Sequence, residues 1–333
     1  MVDPNPLAKK SAAQTASIRA SIEKFVALLP SEIRPTRGDL ILGFATGYKP
    51  HMIAPFVESV RTQGRFTGKI VLFVDAAARQ TADYLAAHDI EAVAFDPSKS
   101  PAPQVGVARF FTYFDYLREQ WNSGAVFNQI LMTDVRDVTF QKPLFGTPCE
   151  ELEFHLEAPL IRSTSTPNTI HENGLTRKWI EAACGGEAVE ALSSNLVSCS
   201  GTISGRTRGI FDYLAQMQLL ALGLSEAAGS TWGIDQGVHN YILYTGLARS
   251  ATAKPNFARV ATLGLVAGSS LSCDASGRVI NPDGEISEIA HQWDRHRHLS
   301  KAICAVYLQN RQYGRWRFWM SRVLPRLTLL TRV

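Results

Sequence analysis

No stretch of the chain approaches the roughly 18 consecutive apolar residues of a membrane-spanning helix. Its start, Met1-Val-Asp-Pro-Asn-Pro6, has neither the basic residues nor the apolar run of a secretory signal. Both absences point to an intracellular, cytoplasmic protein. Cysteine is sparse: Cys149, Cys184, Cys199, Cys273 and Cys304 are odd in number, widely spaced and form no Cys-x-x-Cys pair. That argues against a disulfide framework or a cysteine zinc site and predicts reduced, mostly buried thiols. Repeats and low-complexity tracts are missing as well, and with charged residues at 19% this argues against disordered and solenoid architectures.

What the chain does have is apolar content, 45% over 333 residues, enough for one large or two modest domains around a proper core. Its charge is uneven. No acid follows Asp294, whereas nine cations run from Arg295 to Arg332; taking those nine from the net +4 leaves residues 1–294 at −5. A mildly acidic body argues against nucleic-acid binding, and the basic tail implies an anionic contact.

Within the body, apolar runs and helical spacings alternate. Ile18, Ile22, Phe25, Val26 and Leu29 mark one face of a helix over 14–29, closed by Pro30 and Pro35, in an N-terminal arm of residues 1–37. Gly38-Asp-Leu-Ile-Leu-Gly-Phe44 reads as the first strand. Helices over 53–60, 81–88 and 108–117 then alternate with strands over 68–75 and 92–95. This order predicts a Rossmann-like α/β domain, a mainly parallel, doubly wound sheet with helices on both faces. In such a unit the loop after the first strand meets a base or ribose, so Thr46 and Tyr48 are candidates for that contact; a half-buried loop tyrosine is the alternative. Arg109 falls near the start of its helix, where a cation opposes the helix dipole, and so calls for an anionic neighbour: Asp134, Asp137 or a diphosphate.

The stretch that organises the chain is Gln129-Ile-Leu-Met-Thr-Asp-Val-Arg-Asp-Val-Thr-Phe-Gln-Lys-Pro-Leu-Phe145. Ile130, Leu131 and Met132 read as a buried parallel strand that ends in two carboxylates, Asp134 and Asp137. Ligands of open α/β sheets bind at that edge. Two carboxylates there would hold a hard divalent cation able to bind nucleotide phosphates; a loop in which Arg136 pairs with both neighbours is the alternative. Beyond it, the polar segment over 162–178 suits a lid or acceptor loop carrying His171 and Glu172. Asn195 to Gly205 combines a short apolar element with small residues that let backbone approach a ligand. Thr231-Trp-Gly-Ile-Asp-Gln-Gly puts Asp235 at a helix start, as an N-cap or as a site residue. Gly284 to His296 reads as a strand, with Ile286 and Ile289 alternating, that delivers His291 and a polar cluster, Gln-Trp-Asp-Arg.

Taken together, these segments resemble the metal-dependent nucleotide-sugar glycosyltransferases of the GT-A fold, particularly the family-eight-like group, over roughly Asp39 to His298. The features that carry the likeness are the first strand with its nucleotide loop, the aspartates followed by Val-x-Phe-x-x-Pro-Leu-Phe, Ser-Gly, the Asp-Gln helix start and the late His-Gln-Trp-Asp-Arg. The resemblance implies a catalytic domain over 38–300, with a nucleotide-binding half to residue 147 and an acceptor and metal half from 148. It implies that Asp134, Asp137 and His291 ligate manganese or magnesium on the donor diphosphate, that Ser200 and Gly201 line the sugar pocket, and that Asp235 and Gln236 contact the donor sugar or the acceptor. The acceptor is expected to be a saccharide or a lipid-linked glycan. The family spaces its carboxylates as Asp-x-Asp; here two residues intervene, so a bend at Val135-Arg136 is required. Asp137 matches the second aspartate, and Asp134 has orientation of Arg109 or contact with the ribose as alternatives to ligation. A phosphatase or phosphotransferase with Asp134 as nucleophile and a non-catalytic glycan-binding protein are the competing readings. The tail over 301–333 interleaves arginine with Trp316, Phe318 and Trp319, as in a segment lying on an anionic membrane, here the inner face, or in a terminal helix docked on the domain.

Overall fold

The computed structural model describes residues 12–102, 104–160 and 166–308. Most of the basic tail, including 311–330, and residues 162–165 of the expected lid lie outside the described residues. Helix α1 (Ala12–Leu28) is followed by the alternating series expected from the sequence. It runs β1 (Leu40–Phe44), α2 (Pro50–Thr62), β2 (Lys69–Asp75), α3 (Arg79–Ala86), β3 (Glu91–Phe95), α4 (Val105–Asn122) and β4 (Gln129–Thr133). The second half is less regular. It contains β5 (Val138–Phe140), β6 (Leu152–Leu156), α5 (Gly174–Cys184), α6 (Gly186–Leu192), β7 (Ser198–Arg206), α7 (Thr207–Ala221), α8 (Glu226–Gly229) and α9 (Ile234–Thr245). Strands β8 (Ala251–Lys254), β9 (Val260–Thr262), β10 (Ser272–Cys273), β11 (Val279–Ile280) and β12 (Ile289–His291) precede α10 (Arg297–Tyr307).

Seven strands form one central sheet in the order β3-β2-β1-β4-β7-β6-β8. The pairs β3/β2, β2/β1, β1/β4 and β6/β8 are parallel, whereas β7 runs antiparallel to both β4 and β6. The protein is thus α/β, with a mostly parallel mixed sheet flanked by helices, as in a Rossmann-like fold. The expectation for the central strand is met on one side only. Strand β4 is parallel to β1, but β7 begins at the edge where β4 ends and runs back along it.

Alternation explains why both faces are covered. Leu40, Leu42, Ile130 and Met132 point into the core made with α4, α7 and α9, while Ile41 and Leu131 point into the core made with α2. Helix α1 docks its expected face on the first core: Ile22 is buried, and Phe25 sets its edge against Phe114 and Phe211 at 5.5 and 5.0 Å.

Strand order places the candidate edge. The chain steps from β1 through β2 to β3 on one side, then returns to put β4 on the other side of β1. The loops leaving β1 and β4 therefore lie side by side at the carboxyl ends of the strands, the edge at which open α/β sheets bind ligands. A second sheet, β5-β12-β9, stands beside that edge. Strand β12 is antiparallel to β5, with His291 opposite Val138. The late strand is shorter than expected: it comprises Ile289–His291, and Ile286 precedes it in irregular chain.

Candidate metal site at the sheet edge

Asp134 is the first residue past β4. Its backbone N–H donates to Gly201 O at 2.7 Å, which extends the β4/β7 ladder by one step. The chain then turns over residues 135–137, where the sequence required a bend, with Val135 buried as the pivot. Asp137 comes out of the turn next to Val138, the residue opposite His291, and its carbonyl accepts from Gln292 N at 2.9 Å. One carboxylate oxygen of each aspartate and one ring nitrogen of His291 consequently lie within 4.8 Å of one another.

Several observations test whether these residues suit a cation. His291 is fully buried, yet its Nε2 lacks a hydrogen-bond partner among the described residues and lies 3.4 Å from Asp134 Oδ2. Gly201 leaves the space between them open. A Cβ there would sit 2.5 Å from His291 Cε1 and 2.6 Å from Asp134 Oδ2, so any side chain would fill the cradle. The Asp134 side chain keeps 38% of its surface exposed, enough for an ion to reach it from solvent. Two hard carboxylates with one imidazole form a donor set that suits a divalent ion such as manganese. The residues fit.

The charges around the cluster are paired with care. Burial pushes Asp137 above the usual carboxylate range, and the nearby Asp294 pushes the same way. Burial also acts to raise Asp134, but Arg109 and then His291 outweigh it and hold this carboxyl well below its ordinary value. For His291, burial opposes protonation, and Cys199, Asp134 and Asp137 overcome it, so its pKa is raised. Asp294 faces Arg136 at 3.5 Å.

Arg109 is the hub of the wider site. Its side chain is 11% exposed and holds Asp134 at 2.5 Å through Nη1 and Asp235 at 2.8 Å through Nη2. The same Nη2 donates to Ser200 O at 3.1 Å, and Ser200 Oγ donates to Asp235 Oδ2 at 3.0 Å. The anionic neighbours expected of Arg109 are thus two aspartates. Burial lowers its affinity for the proton, and Asp134 and Asp235 more than restore it.

Asp235 is not an N-cap. The cap of α9 is Gly233, at φ +82°, whose backbone lies against the ring of Trp179 so closely that a Cβ would approach it to 2.3 Å. Asp235 sits in the first turn, and its carboxylate faces Arg109 and Ser200. Gln236 turns elsewhere: its Nε2 donates to Glu157 Oε1 at 3.1 Å. The four elements β4, α4, β7 and α9 therefore bring Asp134, Arg109, Ser200, Gly201 and Asp235 together, and β12 adds His291.

Thr46 and Tyr48 occupy the loop after β1, at the same sheet edge. Thr46 Oγ1 is buried without a hydrogen-bond partner among the described residues, and Tyr48 is half-buried, its carbonyl accepting from Thr81 Oγ1 at 2.9 Å. Gly47 N donates to Asp75 Oδ2 at 2.6 Å, tying this loop to the end of β2. His171 and Glu172 are exposed and lie outside the cluster. In the described part of the expected lid, residues 174–178 form the first turns of α5, and Asn168 is buried beside Glu157.

Glu157 and the pairing of Asp294 with Arg136 had no place in the sequence reading. The signal for Glu157 is the alternation Leu152-Glu-Phe-His-Leu-Glu157 ahead of Pro159, which marks a strand with a carboxylate at its tip. No protein-family model matches this sequence, and no curated protein matches it either.

Proposed function

We propose that the chain is a divalent-metal-dependent glycosyltransferase of the GT-A fold, moving a sugar from a nucleotide-diphosphate sugar to a saccharide or lipid-linked acceptor. The observation that carries this reading is the Asp134, Asp137 and His291 cluster past the carboxyl end of β4, at the sheet edge where open α/β sheets bind ligands. Bound there by these three residues, manganese or magnesium would neutralise the charge that develops on the leaving diphosphate. Arg109 holds Asp134 in position and adds a second positive charge beside the cluster. The loop carrying Thr46, with its unused buried hydroxyl, and Tyr48 lies at the same sheet edge on the β1 side and suits the nucleoside. Ser200 and Gly201 present backbone and a small side chain to the sugar, and Asp235 and Gln236 supply hydrogen-bonding groups on the acceptor side. The phosphotransfer alternative finds less support, because such sites place the second carboxylate two residues after the nucleophile, and Asp137 lies three after Asp134.

Calorimetric titration of UDP and GDP tests the reading. Manganese should strengthen binding of one of them at least tenfold, a difference of about 1.4 kcal/mol. Asp137→Ala and His291→Ala should each remove that gain, in variants that circular dichroism shows to be still folded at the assay temperature. Nucleotide binding indifferent to manganese, or equal in the variants and the parent, would refute it.

A further inference from the structure

A cavity of about 490 Å³ lies at the far end of β5 from the cation cluster, lined by three segments: 62–65 at the end of α2, 141–143 past β5, and 276–278 between β10 and β11. Asp137 precedes β5 and Gln141 follows it, about 13 Å apart along the strand. Hydrogen bonds tie the three segments together. Leu144 N donates to Gly64 O at 3.0 Å, Val279 N to the buried Gln141 Oε1 at 2.5 Å, and Gln63 Nε2 to Ser276 O at 2.7 Å. Among the described residues the lining carries three cations, Arg65, Lys142 and Arg278, and no acid. Arg278 is fixed by Asp274, whose Oδ2 accepts from Nε and Nη2 at 2.8 Å, leaving Nη1 unused among the described residues. Lys142 Nζ stands 3.8 Å from Glu285, whose side chain is 78% exposed, so that pair is weak. Arg65 has no hydrogen bond or ion pair among the described residues. Its backbone adopts φ +44°, a left-handed conformation that suits glycine better than a side chain, and such an outlier points to a role for the side chain it carries. The carboxyl end of α2 favours a cation nearby, but that accounts for one of the three.

We propose that this cavity binds a phosphate monoester presented by the headgroup of an anionic lipid. Such a group carries close to two negative charges near neutral pH on three acceptor oxygens, which suits three cations around one cavity. A carboxylate, with a single charge, matches them less well. The volume falls in the range that holds a small organic molecule, so the group bearing the phosphate fits as well. The lipid source follows from where α10 ends. A Cβ on Gly277 would meet Val306 Cγ2 at 3.0 Å, and Tyr307 lies close enough to Gln63 and Asp274 for both to act on its hydroxyl. The described residues end at Leu308, so the basic segment that follows in the sequence begins beside the cavity. An anionic bilayer drawn to the start of that segment therefore faces the cavity too. The site stands apart from the cation cluster and does not depend on the transferase reading.

The test is co-sedimentation of the full chain with phosphatidylcholine vesicles that contain phosphatidic acid, a phosphate monoester, or phosphatidylserine at matched surface charge. The basic segment is drawn to both lipids alike, so a preference for phosphatidic acid of about fivefold or more reports the cavity. Arg65→Gln and Lys142→Gln should each weaken binding to phosphatidic acid about fivefold, and the double variant should bind the two lipids equally. Arg65→Gly relieves the left-handed backbone, so it should lose the same fivefold yet melt no lower than the parent, which separates the charge from the fold. Inorganic phosphate should abolish the preference, and chloride at the same ionic strength should not. Equal binding of the two lipids by the parent, or a preference that survives in the double variant, would overturn the site. Calorimetry showing glycerol 3-phosphate bound as tightly as the vesicles would overturn the lipid source.

Discussion

Replacing Arg109 with methionine isolates the charge hub from the cation site. Methionine keeps the apolar packing of the stem but leaves Asp134 and Asp235 without their shared cation. Removing one partner of a buried pair costs about 3–5 kcal/mol, because the other charge stays desolvated. The two carboxylates do not contribute equally. Asp134 is 38% exposed and can rehydrate, whereas Asp235 is 9% exposed and retains only the Ser200 hydroxyl among its described donors. Discounting the exposed member gives a loss near the lower bound, about 3 kcal/mol. Urea unfolding in metal-free buffer measures it as a shift of midpoint at constant m-value. Adding Asp235→Asn to Arg109→Met should recover about 1–2 kcal/mol of the sum of the single losses. A pH series supplies a second check. Asp134 is held below its ordinary value of 3.8 in the folded protein, so it contributes stability above that value, and the contribution is lost as pH falls towards the folded pKa. The advantage of the parent over Arg109→Met should therefore narrow below about pH 4. A single-variant loss under about 1 kcal/mol, or strict additivity in the double variant, would refute the account of Arg109 as a buried charge bridge.

Gly201→Ala would put a methyl group between His291 and Asp134; since Gly201 lies in regular strand, the effect is steric, and manganese-dependent nucleotide affinity should drop at least tenfold, about 1.4 kcal/mol by calorimetry. Asp235→Asn should leave α9 intact by circular dichroism, because Gly233 caps it, yet cost about 1–3 kcal/mol from the charged hydrogen bonds it weakens. Turnover should fall as well, and ordinary turnover in that variant would leave Asp235 a purely structural role. Deleting residues 312–333 should weaken co-sedimentation with anionic vesicles at low salt, on the order of 1 kcal/mol for each arginine near the surface. Unchanged vesicle binding would remove the membrane reading of the tail.

The first half of the fold was legible in the chain because its information is local. Apolar runs such as Ile130-Leu131-Met132 and helical spacings such as Phe110, Phe114 and Leu117 follow from the period of a strand or helix, and a doubly wound sheet follows from their alternation. The candidate ligands were legible too, because carboxylates at the tip of an apolar run lie where such sheets bind ligands. The strand directions of the second half were not, since β7 pairs with β4 through contacts between residues far apart in sequence, such as Thr133 with Thr202. Tertiary structure alone decided the site. Asp134 and Asp137 meet because a buried Val135 lets the chain turn, and His291 joins them because β12 pairs with β5 across a separation no local pattern records. Arg109 reaches Asp235 over 126 positions, and Gln236 reaches Glu157 over 79. A helix start can read as a cap from its own residues, but whether its aspartate serves the helix or a distant arginine depends on which charge is buried beside it, and that is set by packing.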